Sequence, residues 1–149
     1  MVQKLAVVGP EDLFRTLEVL AQGVQGLPET LDLLRQRVDE PLEALLLGEE
    51  VGLCRQEGLG FRLTPEGRAW LANPMDPPLD LILWLLRQLP WAEALEALEA
   101  HEGRLPLPEL LALFPQDQDP RGEKAARALA EWGSFLGFWE LEENRIERR

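Results

Sequence analysis

The sequence predicts a mainly α fold with short β-hairpins, and three observations predict it. Leucine fills 32 of the 149 positions and recurs at helical spacing. Two helices, a glycine-flanked hairpin and a capped helix follow one another up to Leu71. After Asn73-Pro74-Met75-Asp76-Pro77-Pro78, where three prolines preclude regular structure, a second helical series closes on a second hairpin. Helix, helix, hairpin, helix is the order of a winged helix. The expectation is therefore a tandem winged helix, with unit one over residues 1–73, a proline-rich linker over 74–78 and a similar unit over 79–149.

Residues 4–8 form a short apolar stretch ending at Gly9-Pro10, expected as a strand or arm. Leu13, Phe14, Leu17, Leu20 and Ala21 then recur at helical spacing until Gly23. Pro28 opens a second helix with Leu31, Leu34 and Val38 on one face, and Asp39 can cap a third over residues 40–51, which Gly52 stops. Residues 53–56 and 60–63 flank the turn Glu57-Gly58-Leu59 and read as a hairpin. Thr64 as cap and Pro65 at the first helical position begin the helix of Ala69, Trp70 and Leu71. The stretch from Pro41 to Leu71 is the clearest part of the pattern. Beyond the linker, residues 79–89, 91–100 and 107–114 read as helices, 115–122 as a polar loop and 123–135 as another helix. Residues 137–141 and 145–148 read as strands around Glu142-Glu143-Asn144.

The formal charge is −12, and both halves are acidic: residues 1–75 carry 7 basic and 12 acidic groups, residues 76–149 carry 8 and 15. Nucleic-acid binding rests on neutralising phosphates, so such a chain is a poor default binder unless its cations share one face. Cys54 is the only cysteine, which excludes an internal disulfide and CxxC metal chemistry and makes the cytoplasm the expected compartment. The start has no signal-peptide pattern, and the most apolar run, 79–86, is short and broken by Asp80, so no membrane insertion is expected. Only two lysines and two asparagines occur, a composition that suits a thermophilic or GC-rich source.

The residues offer little for catalysis. Gly9 alone cannot supply the backbone approach of a GxGxxG nucleotide turn. His101 beside Glu102 imitates half of an acid–base pair, but it sits near a helix end where the dipole favours histidine. Ser134, in Trp132-Gly133-Ser134-Phe135-Leu136, lacks a nucleophile elbow. Glu93, Glu96, Glu99 and Glu102 recur every third residue, the spacing of a solvated acidic stripe rather than of convergent metal ligands. No catalytic, cofactor-binding or metal-binding residue is expected, and the chain is read as non-enzymatic.

A DNA-reading winged helix places cations on its recognition helix. Here the helix from Glu40 to Glu50 has Glu40, Glu43, Glu49 and Glu50 and no cation. Leu42, Leu45 and Leu46 face one way, and Ala44, Leu47 and Val51 lie roughly opposite. One stripe must pack inward. The stripe of Ala44, Leu47 and Val51 then serves either burial, the commoner fate in a small domain, or contact with a protein partner. The candidate nucleic-acid face is Arg121, Lys124 and Arg127, diluted by Glu123 and Glu131, for which a solvated face is the commoner reading.

Asp12-Leu13-Phe14-Arg15-Thr16-Leu17-Glu18-Val19-Leu20, the helix pair up to Val51-Gly52-Leu53, Phe61-Arg62-Leu63-Thr64-Pro65-Glu66-Gly67-Arg68-Ala69 and Glu131-Trp132-Gly133-Ser134-Phe135-Leu136-Gly137 resemble the AAA-associated C-terminal domain. That domain follows the ATPase of nitrate-, sulfonate- and taurine-type ABC importers. Ser134 and Phe135 stand where the family has arginine and a later tyrosine, and Pro74 to Pro78 replace its basic linker. The resemblance implies a free-standing regulatory or accessory module that works by protein–protein interaction, with an ABC ATPase as partner. The alternative is a DNA-binding transcriptional regulator using Arg121, Lys124 and Arg127. A homodimer is compatible with either.

Overall fold

The computed structural model describes residues 4–23, 26–114 and 121–149. It is mainly helical, with two antiparallel sheets of two and three strands. Glu11–Arg87 forms one unit, and Met1–Pro10 joins Gln88–Arg149 to form the other. This differs from a division at residues 74–78, because short contacts tie the Pro-rich segment and the amino-terminal stretch to opposite units.

In the Glu11–Arg87 unit the elements are α1 (Pro10–Ala21, which begins one residue earlier), α2 (Leu27–Arg35), α3 (Pro41–Glu50), β1 (Cys54–Glu57), β2 (Gly60–Leu63), α4 (Pro65–Ala72) and α5 (Leu79–Gln88). Prolines occupy the first turns of α2, α3 and α4, where the missing N–H would have had no helical partner. β1 and β2 pair from Cys54 opposite Leu63 to Glu57 opposite Gly60 around Gly58-Leu59. The Leu27 N–H donates to the Leu59 carbonyl at 3.0 Å, which ties the start of α2 to the hairpin tip. Leu13, Leu17, Leu34, Leu45, Leu47 and Leu53 are fully buried, and Phe14 meets Trp70 edge-on at 5.2 Å.

The Thr64-Pro65-Glu66-Gly67 turn has a specific physical basis. Thr64 Oγ1 accepts the Gly67 N–H at 3.1 Å and donates to the Gly52 carbonyl, so one hydroxyl caps α4 and binds the chain leaving α3. A Cβ on Gly67 would lie 2.1 Å from the Leu53 carbonyl oxygen, so only glycine allows α4 to seat this closely. The Trp70 indole donates to the Pro74 carbonyl at 3.0 Å, so the proline-rich segment folds back on α4.

The other unit contains a 3-10 helix (Lys4–Val7), α6 (Trp91–Ala100), β3 (Arg104–Pro106), α7 (Leu107–Leu111), α8 (Arg121–Leu136), β4 (Glu140–Glu142) and β5 (Arg145–Glu147). The sheet order is β3-β5-β4, with Leu105 and Leu141 both opposite Ile146. The stretch expected as a strand or arm is instead helical, packs on α8 and buries the consecutive Ala6, Val7 and Val8, a pattern that strand alternation would not give. The Trp132 indole donates to the Val8 carbonyl at 2.7 Å, and the Trp139 indole to the Ala130 carbonyl at 2.9 Å. A Cβ on Gly133 would lie 2.2 Å from the Trp139 ring, so the Trp132-Gly133 pair grips the amino-terminal stretch and seats a second tryptophan. Trp91 packs on Phe138 at 4.9 Å and on Trp139 at 5.8 Å.

Several element boundaries move. α7 stops at Leu111 instead of continuing to residue 114, α8 begins at Arg121, and β3 appears where no strand is expected. Residues 115–120 of the expected polar loop lie outside the described residues.

Candidate interaction surfaces

α3 resolves the choice between its two apolar stripes. Ala44, Leu47 and Val51 are buried, Ala44 and Leu47 completely, because α3 packs on α2 and β1 through that side. These three side chains present no surface for a partner. Leu45 is fully buried with them, which leaves Leu42 and Leu46 at 44% and 36% exposure. Glu49 and Glu50 are exposed and continue that face, and the Glu49 carboxylate accepts the Gln56 N–H at 3.2 Å. Glu43 turns inward. The outward face of α3 therefore consists of two leucines followed by two carboxylates.

On α8, Ala125, Leu129 and Trp132 are buried, as the helical spacing predicts, and Arg127 is exposed while Lys124 is half-buried. The Arg121 side chain lies outside the described residues. Arg127 lines a shallow groove of about 200 Å³ with Leu107, Pro108, Leu111, Glu123, Ala126 and Asn144. Its surroundings are apolar and acidic, a poor cradle for phosphate.

Many of the arginines are already matched to carboxylates. In the Glu11–Arg87 unit, Arg15 pairs with Glu11, Arg35 with Asp32 at 2.8 Å, and Arg55 and Arg62 with Glu57 at 3.7 and 3.5 Å. In the other, Arg145 and Arg104 meet Glu147 at 2.7 and 3.8 Å, and Arg148 meets Glu99 at 2.8 Å. These are exposed pairs worth little to stability, yet they offset positive potential where phosphates would need it.

The histidine, serine and carboxylates that could carry chemistry have structural surroundings. His101 caps α6, with Nδ1 3.0 Å from the Ala97 carbonyl, so that nitrogen carries the hydrogen. Glu93, Glu96 and Glu102 are exposed, and Glu99 binds Arg148. Ser134 is half-buried on α8. Burial raises the Asp12 carboxyl above its usual value, against the pull of the Asp39 N–H and the Arg15 charge. Among the described residues no group of carboxylate, histidine and cysteine side chains is placed to hold a metal ion, and no helix is long and apolar enough to cross a membrane.

One surface escapes a reading based on motifs. α5 buries Leu81, Trp84 and Leu85, yet leaves Leu79, Leu83 and Leu86 at 66%, 43% and 46% exposure. Its signal in the sequence is a helix whose apolar side chains run well beyond one face, with charge confined to the flank of Asp80 and Arg87, a breadth that ordinarily means burial on more than one side. Met75, just before it, is 83% exposed. Comparison with known proteins yields no match: no family model, no curated protein and no solved structure is similar to this chain.

Proposed function

We propose that the chain is a non-enzymatic regulatory or accessory protein, built from two winged-helix units, that acts by binding another protein. The carrying observation is the outward face of α3, where Leu42, Leu46, Glu49 and Glu50 stand at the positions in which a DNA reader would carry cations. Apolar side chains bordered by carboxylates suit a protein surface with complementary basic groups and repel phosphates. The winged-helix reading draws support from two features. A strand precedes a helix pair and a hairpin in α6-β3-α7-α8-β4-β5, with β3 beside the last strand. In the other unit α2 and α3 lead directly into a hairpin. The resemblance to the AAA-associated domain makes an ABC-type ATPase the partner class to try first, in the cytoplasm.

Two measurements test this reading together. Affinity capture from the cells that make the protein recovers a specific partner with the wild type and loses it with Leu42→Glu/Leu46→Glu; equal recovery, or none, sinks the proposal. Anisotropy of a labelled mixed-sequence duplex at low salt stays flat, whereas binding abolished by Lys124→Ala/Arg127→Ala would install the DNA-binding reading instead.

A further inference from the structure

We propose that the exposed face of α5 is a self-association surface, on which the α5 helix of a second copy of this chain packs antiparallel about a two-fold axis. Leu79, Ile82, Leu83 and Leu86 are spaced i, i+3, i+4 and i+7, one continuous stripe of the helix. Leu79, Leu83 and Leu86 are exposed and Ile82 is half-exposed, while Leu81, Trp84 and Leu85 occupy the buried side. The stripe alone does not name its occupant; the flanking charges do.

Asp80 and Arg87 are both exposed and are seven residues apart, so at 100° per residue they fall on the same flank of the stripe, one near each end. A two-fold axis that runs two helices antiparallel keeps each flank on its own side and exchanges the ends. Asp80 of one copy then meets Arg87 of the other, and Arg87 meets Asp80, with Leu83 packing on its own equivalent near the axis. Parallel pairing about a two-fold axis would instead carry the two flanks to opposite sides of the seam, where neither Asp80 nor Arg87 meets a charged partner across it. The helix thus carries a charge pattern complementary to itself in one orientation only. Arg87 Nε donates to the Leu83 carbonyl at 3.3 Å, an exposed bond along the helix surface that leaves the guanidinium nitrogens beyond it to reach a carboxylate.

A ten-residue helix is about 15 Å long. One helix pair covers less than the roughly 800 Å² per partner of a tight complex, so the dimer is expected to dissociate at micromolar concentrations. Self-association through α5 goes beyond the binding of a different protein at α3, and each can fail without the other.

Sedimentation velocity from about 1 to about 200 μM is the test. Wild type shifts from monomer to dimer across this range. Leu83→Arg, which places two like charges at the axis, stays monomeric, and far-UV circular dichroism checks that its fold is retained. Asp80→Arg and Arg87→Asp each weaken the dimer at least tenfold. Mixing those two single variants restores a heterodimer, and the double variant Asp80→Arg/Arg87→Asp restores the homodimer. A wild type that is monomeric throughout overturns the proposal, as does a dimer indifferent to Leu83→Arg or single charge variants that are not rescued by mixing.

Discussion

Cys54 sits in β1 with its sulfur 3.6 Å from the Leu45 carbonyl, and burial together with the Glu49 carboxylate pushes its thiol up to about 12 from an ordinary value of 9.0. The thiolate is the reactive form, so Cys54 is expected to ignore a thiol reagent at pH 8 and to react at once when the chain is unfolded. The same shift has a consequence for stability. Because the folded-state value is raised, the contribution of the protonated thiol is complete below about pH 9 and is lost as pH climbs toward 12, where the unfolded chain ionises first. Urea melts should therefore show wild-type stability falling faster than that of Cys54→Ala above pH 9. Parallel curves would contradict that assignment.

Between residues 64 and 67 four positions set one element: a cap, a helix-starting proline, an acidic first-turn residue and a glycine that admits a backbone oxygen. Gly67→Ala forces a methyl against the Leu53 carbonyl, and overpacking of this kind costs about 1–3 kcal/mol. A lower midpoint in urea with an unchanged slope is the expected outcome; an unchanged midpoint would mean that α4 can move away freely. This turn was legible because its chemistry is local. β3 was not, since its partner β5 lies about forty residues later and three residues carry no periodicity of their own. The stripes of α3 were legible as stripes, but which one turned inward depended on packing against α2 and β1. Charge read directly: a helix without cations in the sequence remains one in space. The exposed stripe of α5 was equally visible as spacing, but with leucines on both sides of the Asp80–Arg87 flank the helix carries no local mark of which apolar side water reaches.

For the molecule as a whole, the division at Pro10 and Arg87 makes one unit continuous in sequence and the other discontinuous. Residues 11–87 expressed alone should keep a cooperative, helical unfolding transition. Residues 88–149 alone lose the burial of Ala6, Val7 and Val8 and the bond from Trp132 to Val8, a deficit of at least about 3 kcal/mol. Adding a peptide of residues 1–10 should recover that stability in a concentration-dependent way, measured by circular dichroism in urea. A fragment as stable without the peptide would show that the amino-terminal stretch is dispensable. The Trp132 indole and the Val8 carbonyl are separated by 124 residues of chain. At ribosomal speeds of about 5–20 residues per second, Val8 and its neighbours wait roughly 6–25 s for the tryptophan that will hold them. During that interval the intervening unit can finish folding, so the order of synthesis leaves Ala6, Val7 and Val8 as the part of a nascent chain most in need of shelter.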